Sequence, residues 1–500
     1  MDQALGQQHR PTVVVPHRGM VLLAALIATF MAAVESSIIA TAMPTIVGDL
    51  GGFRLFSWVF AAYLLTMAVT VPVYGRLADL YGRKRIFFVG TGIFLAGTTL
   101  CGLARTMIAL VAFRALQGIG AGAIQPIAST VVGDIYTPAE RARVQGYLSS
   151  VFGVSAIIGP ALGAFLVEHV HWALVFWVNL PIGAISIAMF AAYLPEQVER
   201  RRRHIDYLGA VMLIVGVGAP MLALVQARSL DGGSLVALVG FGLAVLVFLF
   251  VHETREPEPM VPFRLWRNRV IALSNLGIFG TGSTMMAISA FLPTYVQGVM
   301  GRSPSVAGLV LGCMSVSWMF ASFAAGRLMI RTSYRLSAAL GAVALVIGAA
   351  MLTRLQPSSG VAWAAGGSLV MGIGMGACNT AFLVSIQASV GWNERGVATG
   401  ANMFMRILGQ SFGAALGGAI LNFGVFRRVP DAGDAVNRLL QPALRHSLSA
   451  AEIARLTGAV AASLHEVYLV ATLTALATLA ISLAFPAGLS PLRPVAARAR

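Results

Sequence analysis

The chain has 500 residues, of which 57% are hydrophobic and only 11% charged, and its mean hydropathy is +0.81. These values exclude an ordinary soluble globular protein and indicate a polytopic membrane protein. The formal net charge of +16 is explained by membrane orientation and by contact with anionic lipids, so it does not require a nucleic-acid partner.

Long apolar stretches follow one another along the chain, without the period-two alternation of membrane β-strands. Each is long enough for a helix that crosses the hydrocarbon core. The sequence therefore predicts an all-α polytopic membrane protein with fourteen transmembrane helices, at residues 20–43, 57–75, 86–104, 107–131, 146–168, 173–194, 207–227, 234–251, 270–293, 305–325, 336–353, 361–386, 397–423 and 466–486.

The loops between these spans differ in charge, and the difference predicts the orientation of the chain. Basic loops remain on the cytoplasmic side of a membrane. We therefore expect both termini to be cytoplasmic, in a plasma or bacterial inner membrane. The segments assigned to the cytoplasm are the N-tail at 1–19, the loops at 75–85, 140–143, 199–206, 252–269 and 326–335, Arg395, and the C-tail at 489–500. The loop at 425–465 is then outside and is predicted to contain a short amphipathic segment.

An internal repeat predicts the architecture. GIGAGA at 118–123 recurs as GIGMGA at 372–377, an offset of 254 residues (372 minus 118), and other glycines follow the same offset. The repeat predicts two six-helix halves in the same orientation, at 20–195 and 270–488. Two inserted helices lie in the linker between them, at 196–269. Parallel six-span repeats with a substrate site between them are typical of secondary transporters that rock between two states.

Three positions break the repeat. Glu35 is opposite Thr284, Arg114 is opposite Ser368, and Pro160 is opposite Ala414. Two duplicated halves need only the same packing residues to form a stable pair. We therefore interpret residues that differ between the halves at these positions as functional. The N-terminal half is expected to carry the ion coupling.

Glu35 is the single carboxylate predicted at membrane depth. An acid there is costly and marks an ion pathway or proton relay by default, although a neighbour-satisfied residue without function is the alternative. Arg114 is a permanent cation inside the fourth span, so it must find an acceptor. It is interpreted either as a clamp on backbone carbonyls or as the group that senses and tunes Glu35.

The fifth span contains GVSAIIGPALG at 153–163. Gly159 and Gly163 are four residues apart and would admit a neighbouring helix, while Pro160 would kink the span. Ordinary helix packing is the alternative for such a glycine pair, and the combination with Pro160 favours a gating role.

From residue 20 to residue 423 the chain resembles the fourteen-span drug:proton antiporter branch of the major facilitator superfamily. Glu35 replaces the aspartate usual in the first-span motif, and Trp172-Ala173-Leu174 replaces the usual Trp-Arg-Trp. The motifs that carry the resemblance are VESSIIATAMPTIVGDLGG at 34–52, GRLADLYGRKR at 75–85, LVAFRALQGIGAGA at 110–123, GVSAIIGPALG at 153–163 and WVNLPIG at 177–183.

The resemblance implies a proton-coupled exporter of amphipathic, often cationic, compounds, with Glu35 as proton carrier and Arg114 as its coupling partner. Protons and cationic substrates would compete for the same carboxylate. Gating is implied for Gly75, Asp79, Gly82, Arg83, Lys84, Gly159, Pro160 and Gly163. In this interpretation the loop at 75–85 holds the cytoplasmic ends of the two halves together, as a latch; plain topogenic charge is the alternative for its basic residues.

The substrate cavity is expected to combine polar amides with methionine and aromatic surface, which suits bulky amphipathic molecules. Many such methionine and phenylalanine residues face lipid or the core instead. The candidates are Glu35, Met31, Gln117, Gln125, Trp318, Asn379, Gln387, Asn402, Phe404 and Arg406.

Two other classes of function remain open at this stage. A transporter of the same fold could carry a siderophore, an amino acid or a lipid-like molecule. A membrane enzyme is disfavoured, because the sequence has no Ser-His-Asp arrangement, no metal-spaced His/Cys cluster and no P-loop. We expect no cofactor, since the proton gradient would supply the energy, and we expect a monomer whose partners are protons, small amphipathic substrates and the bilayer.

Overall fold

Helices account for nearly all of the chain that the structure describes. The structure is a computed structural model, and no strand occurs in its described residues. Those residues are 17–136, 138–195, 206–225, 230–256, 263–391, 394–430, 436–437, 439 and 448–486. Residues 1–16 of the predicted N-tail, the predicted C-tail and most of the basic loop at 199–206 lie outside them.

Each predicted span coincides with a helix or with a pair of consecutive helices. The first half contains α1 (Arg18–Leu50), α2 (Phe56–Tyr81), α3 (Arg83–Gly102), α4 (Met107–Ile135), α5 (Pro138–His169), and the consecutive helices α6 (Leu174–Trp177) and α7 (Asn179–Tyr193). The linker contains α8 (Tyr207–Val225), α9 (Gly232–Arg255) and the short α10 (Phe263–Trp266). The second half contains α11 (Arg269–Ser289), the short α12 (Leu292–Thr294) with a π-helix at Tyr295–Val299, α13 (Pro304–Arg331), α14 (Tyr334–Thr353), α15 (Gly360–Ser389), α16 (Arg395–Arg428) and α17 (Ala450–Leu483).

Length and hydropathy agree with a membrane protein. In the described residues, thirteen helical segments are long and apolar enough to cross a bilayer. The remaining predicted span lies in α5, whose apolar part is the shorter segment Gly153–His169. The chain is thus an all-helical, multi-pass membrane protein. The predicted number of fourteen spans is close to the thirteen helical segments found.

Equivalent glycines of the repeat make equivalent contacts in the two halves. A Cβ on Gly118 of α4 would lie 2.3 Å from the carbonyl oxygen of Tyr63 in α2. A Cβ on Gly372 of α15 would lie 2.0 Å from the carbonyl oxygen of Met314 in α13. Only glycine permits backbones to approach so closely, which is why this position recurs in both copies.

The two halves meet along two seams, one between α2 and α16 and one between α5 and α13. In the first seam, the Ser411 hydroxyl donates to the carbonyl oxygen of Ala61 over 3.1 Å. In the second, Gly308 faces the carbonyl oxygen of Pro160, from which an added Cβ would be only 2.9 Å away.

The described contacts between the halves are concentrated at the end predicted to be outside. Asn422 donates to the carbonyl oxygen of Arg54 over 2.8 Å, and Gln297 donates to that of Thr41 over 3.1 Å. The glycines near the opposite end, Gly75, Gly326, Gly396 and Gly400, have no neighbour within 4 Å of an added Cβ. The described hydrogen bonds between the halves therefore lie towards the outer end, and these four glycines are not packed against a neighbour.

The inserted helices lie on one seam only. Helix α8 contacts both α2 and α16, and the Met221 sulfur accepts a hydrogen bond of 3.5 Å from the Ser411 hydroxyl. Helix α9 packs on α8, while Val236, Val247 and Phe248 on its other side are exposed. Helix α8 therefore covers the α2–α16 seam, whereas α9 faces lipid.

Asp231 begins helix α9 as its N-cap. Its carboxylate accepts hydrogen bonds from the Ser234 hydroxyl over 2.6 Å and from the Ser234 backbone N–H over 3.1 Å. These bonds hold the pKa of the Asp231 carboxyl below its usual value. The charged cap is stabilised at the positive end of the helix.

The predicted outer loop at 425–465 is too long. Helix α16 continues to Arg428, and α17 already begins at Ala450. The start of α17 is a capping box, in which Ser449 and Glu452 each bond the other's backbone N–H. Residues 450–465 are thus the outer part of the last helix, and the predicted amphipathic segment around 440–447 lies outside the described residues.

Candidate functional site

Glu35 lies in the middle of α1 and is completely buried. Its Oε1 atom forms an ion pair with Nη1 of Arg114, which projects from α4 and is equally buried. The acid and the cation that the sequence places at membrane depth in the first half are therefore direct partners.

Arg114 makes further contacts through its guanidinium group. Nη1 also donates to Oε1 of Gln117 over 2.6 Å, and Nε donates to the carbonyl oxygen of Val59 over 3.0 Å. The central carbon lies 4.0 Å from the centre of the Tyr63 ring. The two interpretations of Arg114 are thus compatible, because it bonds a backbone carbonyl and the Glu35 carboxylate at once.

The second carboxylate oxygen of Glu35 is held by Asn179, a residue absent from the predicted site. Its Nδ2 atom donates to Oε2 over 2.5 Å, from the first residue of α7. The only sequence signal is its place in WVNLPIG, where a polar residue interrupts an apolar span. Gln117 extends the network by donating to the Thr98 hydroxyl over 2.8 Å.

The cluster of Glu35, Arg114, Gln117 and Asn179 links three helices through one carboxylate. An ionised Glu35 balances the charge of Arg114 and accepts from both neighbours. Protonation would remove that balance and turn an accepting oxygen into a donor, so Arg114 and Asn179 would need new acceptors. Protonation of Glu35 would therefore disturb the contacts that join α1, α4 and α7.

Helix α5 contacts α1 directly beside this cluster. A Cβ on Gly159 would lie 2.0 Å from the Ser37 hydroxyl oxygen, and one on Gly163 would lie 2.8 Å from the carbonyl oxygen of Ile38. The neighbour that the glycine pair admits is therefore α1. Pro160 lies between them and is buried at the seam with α13.

The turn between α2 and α3 is bound to its own half. Gly82, with φ of 96°, ends α2 and precedes α3. Arg83 forms an ion pair with Asp134 and donates to the carbonyl oxygen of Thr130 over 3.1 Å. These described contacts lie within the N-terminal half, and a latch between the two halves stays a prediction. The Asp79 side chain lies outside the described residues, and Gly75 is exposed in α2.

Lys84 contacts the end of the last helix of the same half. Its Nζ donates to the carbonyl oxygens of Ala191 and Leu194, over 2.8 and 3.0 Å. A cation is favourable there, because the final carbonyls of α7 have no partner within the helix.

The predicted cavity residues fall into two groups. Met31, Gln117, Asn402 and Phe404 are buried, and Asn402 donates to Asn275 over 3.3 Å. The partly exposed residues are Gln125, Trp318, Asn379, Gln387 and Arg406. Gln387 donates to the Thr399 hydroxyl over 3.3 Å, towards the predicted cytoplasmic end. Glu35 itself is completely buried, and both of its oxygens have partners.

Comparison with known proteins gives a consistent result. A sequence model of the Major Facilitator Superfamily matches residues 25–414. Multidrug resistance protein 3 of Bacillus subtilis (strain 168) is 33% identical over 475 residues, which are 90% of this chain and 92% of that protein. Multidrug transporter protein MdtP of the same organism is 34% identical over 408 residues, which are 81% of this chain and 75% of that protein.

Among solved structures, the fold is similar to that of a bacterial homolog of the human lysosomal transporter Spinster, in an inward-facing and occupied conformation. The TM-score is 0.64 at 18% identity, and the match covers 93% of this chain and 96% of that chain. At this identity the likeness concerns the fold alone.

Proposed function

The chain belongs to the major facilitator superfamily of membrane transporters, and from this premise we propose that it exports amphipathic compounds, cationic ones among them, in exchange for protons carried by Glu35. The protein is a transporter and not an enzyme, so we assign no catalytic role to the buried acid Glu35. Relatives named as multidrug transporters support the class of cargo.

The observation that carries the proton coupling is the buried contact of Glu35 with Arg114 and Asn179. In the observed state the acid is sealed from solvent and its charge is balanced. Opening of the N-terminal half would admit water and a proton, and the loss of charge would release Arg114 and Asn179. The α5 glycines would transmit that change to the seam, since they contact α1 two to six residues from Glu35.

We propose that a cleft between the halves supplies the other part of the cycle. In the observed state it would be open towards the predicted cytoplasm, where cargo would enter, and the contacts at the outer end would close it there. We propose that the two halves alternate around the cleft, with Gly159, Pro160 and Gly163 as the flexible element. We further propose that Gly75, Asp79, Gly82, Arg83 and Lys84 meet the opposite half when the cytoplasmic side closes. The membrane is proposed to be a cell membrane, with both termini cytoplasmic and the chain monomeric.

The test uses purified protein in proteoliposomes with ethidium as cargo and an imposed pH gradient. Glu35→Gln keeps the shape of the side chain but fixes it neutral, so gradient-driven transport should fall at least about tenfold. Glu35→Asp retains a titratable group and should retain activity with a changed pH profile. Exchange of labelled for unlabelled ethidium without a gradient should persist in the Gln variant, because it requires no net proton movement.

Glu253→Gln is the matched control, since Glu253 is also a buried carboxylate but lies in α9, away from the cluster. It should transport at the wild-type rate. Undiminished gradient-driven transport by Glu35→Gln would overturn the assignment of the proton to Glu35.

A further inference from the structure

Two arginines lie at membrane depth, and their surroundings are opposite. Arg114 is buried and paired with Glu35, whereas Arg406 is partly exposed and has no bonded partner in the part of the chain that the structure describes. We propose that Arg406 binds an anionic group of the cargo, so that acidic and zwitterionic amphipathic compounds are substrates. This inference rests on the proposed export function and adds a second substrate class to it.

The position of Arg406 along its helix places it close to the middle of the membrane. Helix α16 begins at Arg395, eleven residues earlier, which is about 16 Å at the α-helical rise. The hydrocarbon core is about 30 Å thick, so the guanidinium group is far from either interface. A long side chain at a helix end can reach the headgroups, but one at the centre cannot.

The side of α16 on which Arg406 lies can be read from its neighbours. At 3.6 residues per turn, Gly409 and Gly413 form the face that packs on α11, and Ser411 and Gly418 form the face that packs on α2. Arg406 lies on the arc between these two faces, together with Met403 and Gln410. These three residues are all partly exposed.

The lipid-facing side of α16 is elsewhere. It includes Phe423, which is 54% exposed, and Phe412, both on the opposite arc. Arg406 therefore lies on the side of α16 between α11 and α2, away from this lipid-facing side, and we infer that its exposed part faces the space between the halves. Helix α11 comes close beneath it, since a Cβ on Gly282 would lie 2.5 Å from the Arg406 carbonyl oxygen.

No acceptor compensates Arg406. Among the described residues, no hydrogen bond, ion pair or ring contact of its guanidinium group is found. Arginine does not lose its proton in a protein, so the charge is permanent. The carboxylate at membrane depth, Glu35, belongs to the other half and is already paired.

One turn away, Asn402 bonds a side chain of α11 and not Arg406. It donates to Oδ1 of Asn275 over 3.3 Å, and the Nδ2 group of Asn275 is buried without a partner among the described residues. The unpaired guanidinium fork of Arg406 is suited to a carboxylate or a similar anion. An amphipathic acid would place its charged group here and its apolar body against the cleft walls.

The test is a binding measurement in nanodiscs at one pH, without any gradient. Rhodamine 110 carries a free carboxylate, and rhodamine 123 is its methyl ester, so the pair differs only in the proposed contact. The wild-type protein should bind rhodamine 110 about tenfold more tightly than the ester. Equal binding of the two dyes, or tighter binding of the ester, would overturn the proposal without any variant.

Variants then test whether Arg406 causes the preference for rhodamine 110. Arg406→Gln should remove it, through loss of rhodamine 110 affinity with little change for rhodamine 123, while Arg406→Lys should retain part of it. Arg354→Gln, at an exposed arginine beyond α14, should behave as wild type. A preference that survives in Arg406→Gln would also refute the proposal. Failure of gradient-driven ethidium transport would instead count against proton coupling, since this binding assay uses no proton gradient.

Discussion

Asn179 donates a hydrogen bond of 2.5 Å to Oε2 of Glu35, across the interface between α7 and α1. The ion pair with Arg114 occupies the other oxygen, so the two donors hold the carboxylate from two different helices. The three helices are thus arranged to suit an ionised Glu35, and Asn179 is expected to act as a positioning residue for the proposed proton site.

Replacement of Asn179 by leucine should reduce gradient-driven transport strongly while leaving the protein in the membrane. The side chain keeps its approximate volume but loses the donor, and a hydrogen bond to a charged group contributes about 1.5–3 kcal/mol. We expect a loss of about tenfold or more in the initial rate in proteoliposomes. The pH profile should change as well.

The control for this variant lies on the same helix. Ser186 is buried in α7 and donates to the carbonyl oxygen of Ala24 in α1 over 3.1 Å, away from Glu35. Ser186→Ala should change the rate by less than about threefold. Equal losses in both variants would indicate a role for Asn179 in helix packing alone.

The seam between α5 and α13 gives a second prediction. Gly308→Ala would place a Cβ 2.9 Å from the carbonyl oxygen of Pro160, so the two helices would have to separate. We expect slower exchange and a lower melting temperature in detergent. Gly312→Ala, one turn further along α13, meets nothing within 4 Å and should leave both measurements unchanged. A normal melting temperature for Gly308→Ala would mean that the seam tolerates separation.

Glu168 joins the halves at the outer end. Its carboxylate accepts from the Ser305 backbone N–H over 2.7 Å and from the Ser305 hydroxyl over 2.5 Å, at the beginning of α13. Glu168→Ala should increase the fraction of molecules that are open outside. The change is measurable as a longer distance between spin labels at exposed positions 170 and 302.

Glu466→Ala provides the comparison for this experiment. Glu466 is also an outer carboxylate, but its partners Arg427 and Arg428 belong to its own half. Its removal should leave the distance distribution unchanged. The proposed role of Glu168 fails if both variants open equally.

Orientation is tested with single cysteines on a background without Cys101, Cys313 and Cys378. Thr332 is exposed in a loop predicted to be cytoplasmic, and Ser358 is exposed in the next loop, predicted to be outside. An impermeant maleimide added to intact cells should label position 358 and not position 332. The reverse pattern would invert the topology.

The helices are predictable from the sequence because lipid acts on every exposed position of a span, so a long apolar segment is a strong signal. The position of Glu35 beside Arg114 is also accessible, since a buried acid requires a partner and few cations lie at depth. The outer end of α16 and the start of α17 could not be predicted from hydropathy, because their outer turns are polar and lie beyond the hydrocarbon core. The capping box of Ser449 and Glu452 was the available signal there.

The remaining residues of the site could not be predicted, because their contacts depend on how each helix is rotated about its own axis, and hydropathy does not report this rotation. Asn179 and Asn402 are both amides within spans, yet one bonds the central acid and the other bonds Asn275 in the second half. Met31 was expected in the cavity, but it is fully buried and packs towards Gly183 of α7. A one-residue change in helix register would exchange such roles, and the packing of neighbouring helices decides it.

Helix α8 has a consequence for the chemistry of the surface that meets acyl chains. The Ser411 hydroxyl and the Ala61 carbonyl group form a polar pair at the α2–α16 seam, and Met221 of α8 covers it. Without the insertion this pair would be presented to hydrocarbon, where polar groups attract water and other polar molecules. The inserted helix α8 therefore shields this side of the interface between the halves from lipid. A groove that faced lipid directly would tolerate such a hydrogen-bonded contact poorly.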